Sequence, residues 1–193
     1  MSSQRKGRAE QIFETLPSPD GSDIKPSQYV SWYWNEYKKN PYKKNNALNG
    51  SMFEVIIKKL LEREKLLPMY FQAKLAFIPN VVYDIVFYTE NNVPISISLK
   101  TSLRERKKQA DLEAIVLKNV YRKSECYLVS LEKDEVKKAK KELQDGDLLG
   151  LDDVILADCQ EFDDFIDNLK EKTFLQAGKI DVIKSNRIIT PDI

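Results

Sequence analysis

Asp84 stands alone among apolar, β-prone neighbours in Val81-Val82-Tyr83-Asp84-Ile85-Val86-Phe87-Tyr88. A carboxylate in such a run is costly to bury unless something pairs with it. Downstream, Lys100 closes the stretch Ile95-Ser96-Ile97-Ser98-Leu99-Lys100, and Glu113 follows within Ala110-Asp111-Leu112-Glu113-Ala114-Ile115. Two carboxylates and a lysine brought to one place make an oxygen-ligand site for a hard divalent cation, with an ammonium beside it. Mg²⁺ suits such a site, because it prefers hard oxygens and keeps several of its waters.

The local patterns say how these residues would meet. Ile95, Ile97 and Leu99 alternate with Ser96, Ser98 and Lys100, which predicts a half-buried strand. Pro94 begins it, where a missing N–H does little harm. Lys100 therefore ends a strand on its polar face, with Ser98 on the same side. The basic run Arg104-Glu105-Arg106-Lys107-Lys108 comes next, and then Ala110, Leu112, Ala114, Ile115 and Leu117 predict a helix. Glu113 on that helix can look back to the strand end, where the neighbouring strand would bring Asp84. Asp111 competes for the role from another face of the same helix. An aspartate and a lysine alone would equally describe an ordinary salt bridge.

Ser98-Leu99-Lys100 followed by Glu113, with Lys100-Thr101-Ser102-Leu103-Arg104-Glu105-Arg106 as the most specific string, resembles the PD-(D/E)XK superfamily. Within it the pattern is similar to type II restriction endonucleases that read CC and GG dinucleotides, the CCGG family. In that branch a serine stands two before the lysine and a glutamate on the next helix replaces the usual acid. The resemblance spans residues 50–130 and departs in one respect, Tyr83 standing where a proline usually precedes the first aspartate. It implies an α/β fold with an αβββαβ core, a central mixed sheet flanked by helices. It also implies Mg²⁺ held by Asp84, Glu113 and the Leu99 carbonyl, with Lys100 acting on the attacking water. Glu54 is then either an acid beside the metal or a carboxylate placed by the dipole of the helix it begins.

The family's base-reading segment lies between the lysine and the glutamate, where Arg104, Glu105 and Arg106 sit. Arginine bonds bidentately to guanine and glutamate accepts from the cytosine amino group, so the triplet matches G·C pairs. A solvated loop with weak local ion pairs is the plainer alternative. The resemblance further implies double-stranded DNA as partner, cleavage of a palindrome by a homodimer, and no nucleotide cofactor.

Composition narrows the chemistry independently. The 193 residues contain no histidine, which removes Ser-His-Asp and Cys-His hydrolases, histidine-dependent nucleases and histidine-ligated zinc. Two cysteines, Cys126 and Cys159, read as free thiols of a reducing compartment. No apolar run is long enough to span a membrane and the first residues lack a signal-peptide core, so a cytoplasmic protein is expected, and the resemblance implies that the cytoplasm is a prokaryotic one. The net charge of +1 hides an asymmetry: residues 1–110 carry +7 and residues 111–193 carry −6. The positive half holds Asp84 and Lys100, which suits a polyanion.

Residues 1–49 read as an N-terminal arm followed by an aromatic and basic helix, and residues 50–193 as the nuclease domain. Ser27 is expected to cap a helix over 29–37, in which Trp32 and Trp34 could stack on bases while Lys43 and Lys44 touch phosphates. Packing of those rings on the core is the alternative. Further elements are expected at 52–65 (helix), 73–78, 81–89 and 94–100 (strands), 108–122 (helix), 126–131 (strand), 134–144 (helix), 154–157 (strand) and 162–172 (helix), with a weak strand at 179–184. A repair or junction nuclease on the same fold, and a DNA-binding module without catalysis, are the competing functions.

Overall fold

The computed structural model describes residues 7–19, 23–41, 45–78, 80–177, 182–184 and 187–190. Three helices come first: α1 (Arg8–Phe13), α2 (Pro26–Lys39) and α3 (Asn46–Arg63). Strands β1 (Met69–Leu75), β2 (Tyr83–Tyr88) and β3 (Pro94–Lys100) lead to α4 (Arg106–Val120) and β4 (Glu125–Ser130). The chain continues through α5 (Lys133–Gln144), β5 (Asp153–Leu156) and α6 (Gln160–Lys170) to the short strands β6 (Val182–Lys184) and β7 (Arg187–Ile189). One mixed sheet results, ordered β5-β4-β3-β2-β1-β6, with β7 also pairing β1. The first three strands run antiparallel, whereas β3, β4 and β5 are parallel.

Period-two alternation splits the core into two layers. Ile85, Phe87, Ile95, Ile97, Leu99, Val129 and Ile155 pack with α1, α2, α3 and α6 on one face. Val86, Tyr88, Cys126, Leu128 and Val154 pack with α4 and α5 on the other. β2, β4 and β5 thus supply residues to both layers, the outcome expected for a sheet covered by helices on both sides.

Several boundaries differ from the sequence expectation. The first strand starts at Met69 rather than Ala73, because pairing with β2 on one side and β7 on the other begins at Met69–Tyr70. The helix expected from residue 52 starts at Asn46, with the Asn45 side chain accepting the Leu48 N–H at 2.8 Å. Gly50 and Ser51 lie inside it, so the arm boundary drawn after residue 49 falls within α3. Ser27 does not cap its helix from outside. It sits one residue inside, behind Pro26, and its N–H and hydroxyl both bond the Asp163 carboxylate of α6 at 2.7 and 2.9 Å. In the arm, Ala9 and Ile12 of α1 are buried in the same layer as α3, and Glu10 pairs with the buried Lys58. Among the described residues, no helix is long and apolar enough to cross a membrane.

Candidate active site

The β2–β3 ladder runs from Tyr88 opposite Pro94 to Ile85 opposite Ile97 and goes no further. At the next position Asp84 inserts its own carboxylate between the strands. Its Oδ2 accepts the Leu99 N–H at 2.8 Å and Lys100 Nζ at 2.8 Å, with the Ser98 hydroxyl at 3.5 Å. The partner that a buried aspartate requires is therefore Lys100, and the two side chains are 11% and 13% exposed. A pair this enclosed is costly to break from one side only, because the remaining charge stays buried.

Glu113 reaches the same place from α4. It is half-buried, and with Asp84, Ser96 and Ser98 it lines one narrow cavity. Its Oε1 accepts from Gln109 Nε2, one helical turn earlier, at 2.8 Å. Tyr83, where a proline was usual, fastens α4 to β2 by donating its hydroxyl to the Glu113 carbonyl at 3.1 Å. Burial pushes the Glu113 carboxyl above its ordinary range and the Asp84 charge adds to this, opposed by Gln109 and Lys100.

Glu54 approaches from α3 on the other side of the sheet. Since that helix begins at Asn46, Glu54 lies in its interior, and the helix-dipole explanation no longer applies. Gln72 of β1 joins it to the site, its Nε2 donating to Glu54 Oε2 at 3.1 Å and to Asp84 Oδ1 at 3.3 Å. Burial and the Asp84 charge push the Glu54 carboxyl up to about 7, with Lys100 and the Gln72 hydrogen bond acting the other way.

A raised carboxyl has a definite effect on stability. The unfolded chain ionises Glu54 near its ordinary 4.5, while the folded chain holds the proton until about pH 7. The folded state therefore binds more protons between these values, and stability falls with rising pH across that window. Glu54→Gln removes this slope. Urea midpoints in a chelator should coincide below pH 4.5 and separate in favour of Glu54→Gln up to pH 7. Parallel profiles for the two proteins would refute the assignment.

Asp111, the competing carboxylate, turns away from this cluster. It is buried and accepts the N–H groups of Leu149, Gly150 and Leu151 at 3.2, 2.7 and 3.2 Å. The Arg104-Glu105-Arg106 triplet is exposed at the start of α4. Its loop is held by Glu135 of α5, which accepts the Leu103 N–H at 2.5 Å and the Ser102 hydroxyl at 3.1 Å. Arg104 reaches the same carboxylate only at 3.9 Å and is 85% exposed.

The aromatic helix is committed mainly to packing. Trp34 stands edge-on to Phe53 and beside Tyr37, with Lys38 Nζ 5.7 Å from its ring centre. Trp32 donates its indole N–H to the Pro17 carbonyl at 3.1 Å. Lys43 and Lys44 lie outside the described residues.

Asp84, Lys100, Glu113 and Glu54 are thus brought to one end of the sheet. Among the described residues, no group of three or more His, Cys, Asp or Glu is arranged to hold a metal ion. A cation here would draw on two carboxylates, with backbone and water oxygens completing its shell. Burial raises the carboxyls of both Glu54 and Glu113 and the Asp84 charge adds to this, a repulsion that a divalent cation would relieve. In both chemistry and charge, the donor set fits Mg²⁺. Gln72 and Glu135 carry no sequence signal that marks them for these positions.

No protein-family model matches this sequence, and no curated protein does. Solved structures do resemble the fold. The restriction endonuclease PspGI, in a complex with substrate DNA, aligns with a TM-score of 0.55 at 17% identity, covering 89% of this chain and 78% of that one. The type IIP restriction endonuclease Kpn2I aligns with a TM-score of 0.53 at 16% identity, covering 84% and 70%. The fold is that of these enzymes, an α/β core of PD-(D/E)XK type.

Proposed function

We propose that this protein is a Mg²⁺-dependent type II restriction endonuclease of the CCGG branch, cutting double-stranded DNA at a short palindrome containing CC/GG. The observation that carries the reading is the Asp84–Lys100 pair seated in the β2–β3 divergence with Glu113 lining the same cavity. The fold shared with two restriction endonucleases supports it.

A magnesium ion held by Asp84, Glu113 and the Leu99 carbonyl would neutralise charge at the scissile phosphate. Lys100 keeps its ammonium beside Asp84 and can turn a second N–H toward the phosphate or the attacking water. Leu99 N–H and Lys100 both fix Asp84 Oδ2, so the carboxylate is oriented before substrate arrives. Ser98 is a weak ligand, which leaves Glu113 to supply the second charge. Arg104, Glu105 and Arg106, exposed on a braced loop directly after the lysine, would read base edges. Trp32, Trp34, Lys43 and Lys44 would at most add contacts outside this centre. A twofold dimer in a prokaryotic cytoplasm follows from this reading, since one centre cuts one strand of a palindrome.

The test is digestion of a plasmid with Mg²⁺, with and without chelator, followed by sequencing of the fragment ends. Discrete fragments ending at one CC/GG-containing site are expected. Glu105→Ala should blur that site, since one bidentate or amino contact is worth about 1–3 kcal/mol of discrimination. Cutting confined to branched or damaged DNA would favour a repair nuclease, and no metal-dependent cutting would leave a DNA-binding module.

A further inference from the structure

We propose that Gln72 is a positioning residue that ties Asp84, the carboxylate assigned above to the divalent cation, to Glu54 and so fixes both acids in place beside that cation. The inference rests on the cation site argued above and adds to it a residue without charge.

The backbone marks the position first. Gln72 sits inside β1 with φ of +51°, in the left-handed region that a residue with a Cβ rarely adopts. Phe71 pairs with Ile85 and Ala73 with Tyr83, so the residue facing Gln72 is Asp84. Both strands change face at this step. Phe71 and Ile85 pack in the layer of α3, whereas Ala73 and Tyr83 pack in the layer of α4. In a regular strand, residues two apart share a face. The left-handed turn at Gln72 thus coincides with the point where Asp84 leaves the ladder.

The side chain gives the strain a use. The Gln72 amide lies between two carboxylates, at 3.1 Å from Glu54 and 3.3 Å from Asp84. Two acceptors on either side fix its orientation, since a carbonyl turned toward them would be repelled. An amide offers hydrogen bonds to both anions without a positive charge, so it does not compete with a cation for the site. Each carboxylate oxygen keeps further lone-pair capacity for a metal. Strained backbone held by surrounding structure is a recurrent feature of functional sites, and here the residue that is strained is also the one that bridges the two acids.

The test separates positioning from folding. Gln72→Gly accepts the positive φ and removes the amide. Gln72→Met keeps the length and the backbone strain but cannot donate. Calorimetric titration of the full chain with Mn²⁺, beside thermal unfolding of the metal-free proteins, should show at least about tenfold weaker binding in both variants. The Tm of Gln72→Gly should not fall. Equal Mn²⁺ affinity in wild type and both variants would overturn the role of Gln72 while leaving the site intact. A wild type whose Mn²⁺ binding is absent, or unchanged by Asp84→Ala, would overturn the cation site itself. Weak binding accompanied by a lower Tm in both variants would make Gln72 a structural brace and also overturn the proposal.

Discussion

Lys100→Ala should lose DNA cleavage by about 10³-fold or more while still binding divalent metal, whereas Asp84→Ala and Glu113→Ala should lose both. The split follows from the geometry. Lys100 carries a donor and no ligand oxygen, and its Nζ lies 2.8 Å from Asp84 Oδ2. Asp84 and Glu113 line the cavity from β2 and α4 and supply the two charges a cation needs. Removing Lys100 also strands a buried carboxylate, which retains the Leu99 N–H and the Gln72 amide. A loss of a few kcal/mol in stability is therefore expected beside the loss of rate. Single-turnover cleavage, Mn²⁺ calorimetry and circular dichroism on the three variants measure the three effects separately. Lys100→Ala cutting at the wild-type rate would remove the lysine from the chemistry.

A large effect on stability should also come from Asp111 and Gly150, outside the proposed chemistry. Asp111→Ala takes the acceptor from three backbone N–H groups, those of Gly150 and Leu151 being fully enclosed. Leaving them unsatisfied should cost about 3 kcal/mol, or roughly 6–12 °C in Tm for a chain of this size. Gly150 is constrained by space rather than by φ. A Cβ placed there would lie 2.4 Å from the Asp111 carbonyl oxygen, 2.6 Å from the Ile115 nitrogen and 2.9 Å from Ala114 Cβ. Two of those contacts are backbone and cannot move aside without shifting α4, so Gly150→Ala should destabilise by a similar amount. Thermal unfolding followed by cleavage assays well below Tm checks both. If Asp111→Ala kept the wild-type Tm and lost cleavage, Asp111 rather than Glu113 would be the second acid.

The α4 carboxylates show where sequence reading reaches its end. Ala110, Leu112, Ala114, Ile115 and Leu117 predict a helix, and Ala110, Ala114 and Leu117 are buried on it while Leu112 is exposed. Two acids stand two residues apart on that helix, and the resemblance alone favoured Glu113. Which of them meets the sheet depends on the rotation of α4, and that rotation is set by its partners: Tyr83 bonding the Glu113 carbonyl, and the 149–151 loop closing over Asp111. The strand pattern was more informative. Alternation in 95–100 places Lys100 and Ser98 on one face, because side chains in a strand alternate by covalent geometry alone. A carboxylate within an apolar strand needs a partner wherever it is, which sets Asp84 apart from its neighbours by residue type alone.

The absence of histidine likewise removes histidine-dependent hydrolases and nucleases and histidine-ligated zinc by composition alone. Only the tertiary structure decided the rest. Trp34 was as compatible with a base-stacking surface as with a core, and Phe53 and Tyr37 now hold it in packing. Gln72 is a polar residue in an unremarkable run, and no local pattern announces a left-handed strand residue or the two acids it bridges. Glu54 and Asp84 are distant in sequence and come together only because β1 and α3 meet β2 at one end of the sheet. Local residue patterns are fixed by geometry along the chain, while a site with several acids depends on long-range packing between elements. The chain by itself therefore specified the strand faces and the available chemistry, and the fold chose which carboxylates share one cavity.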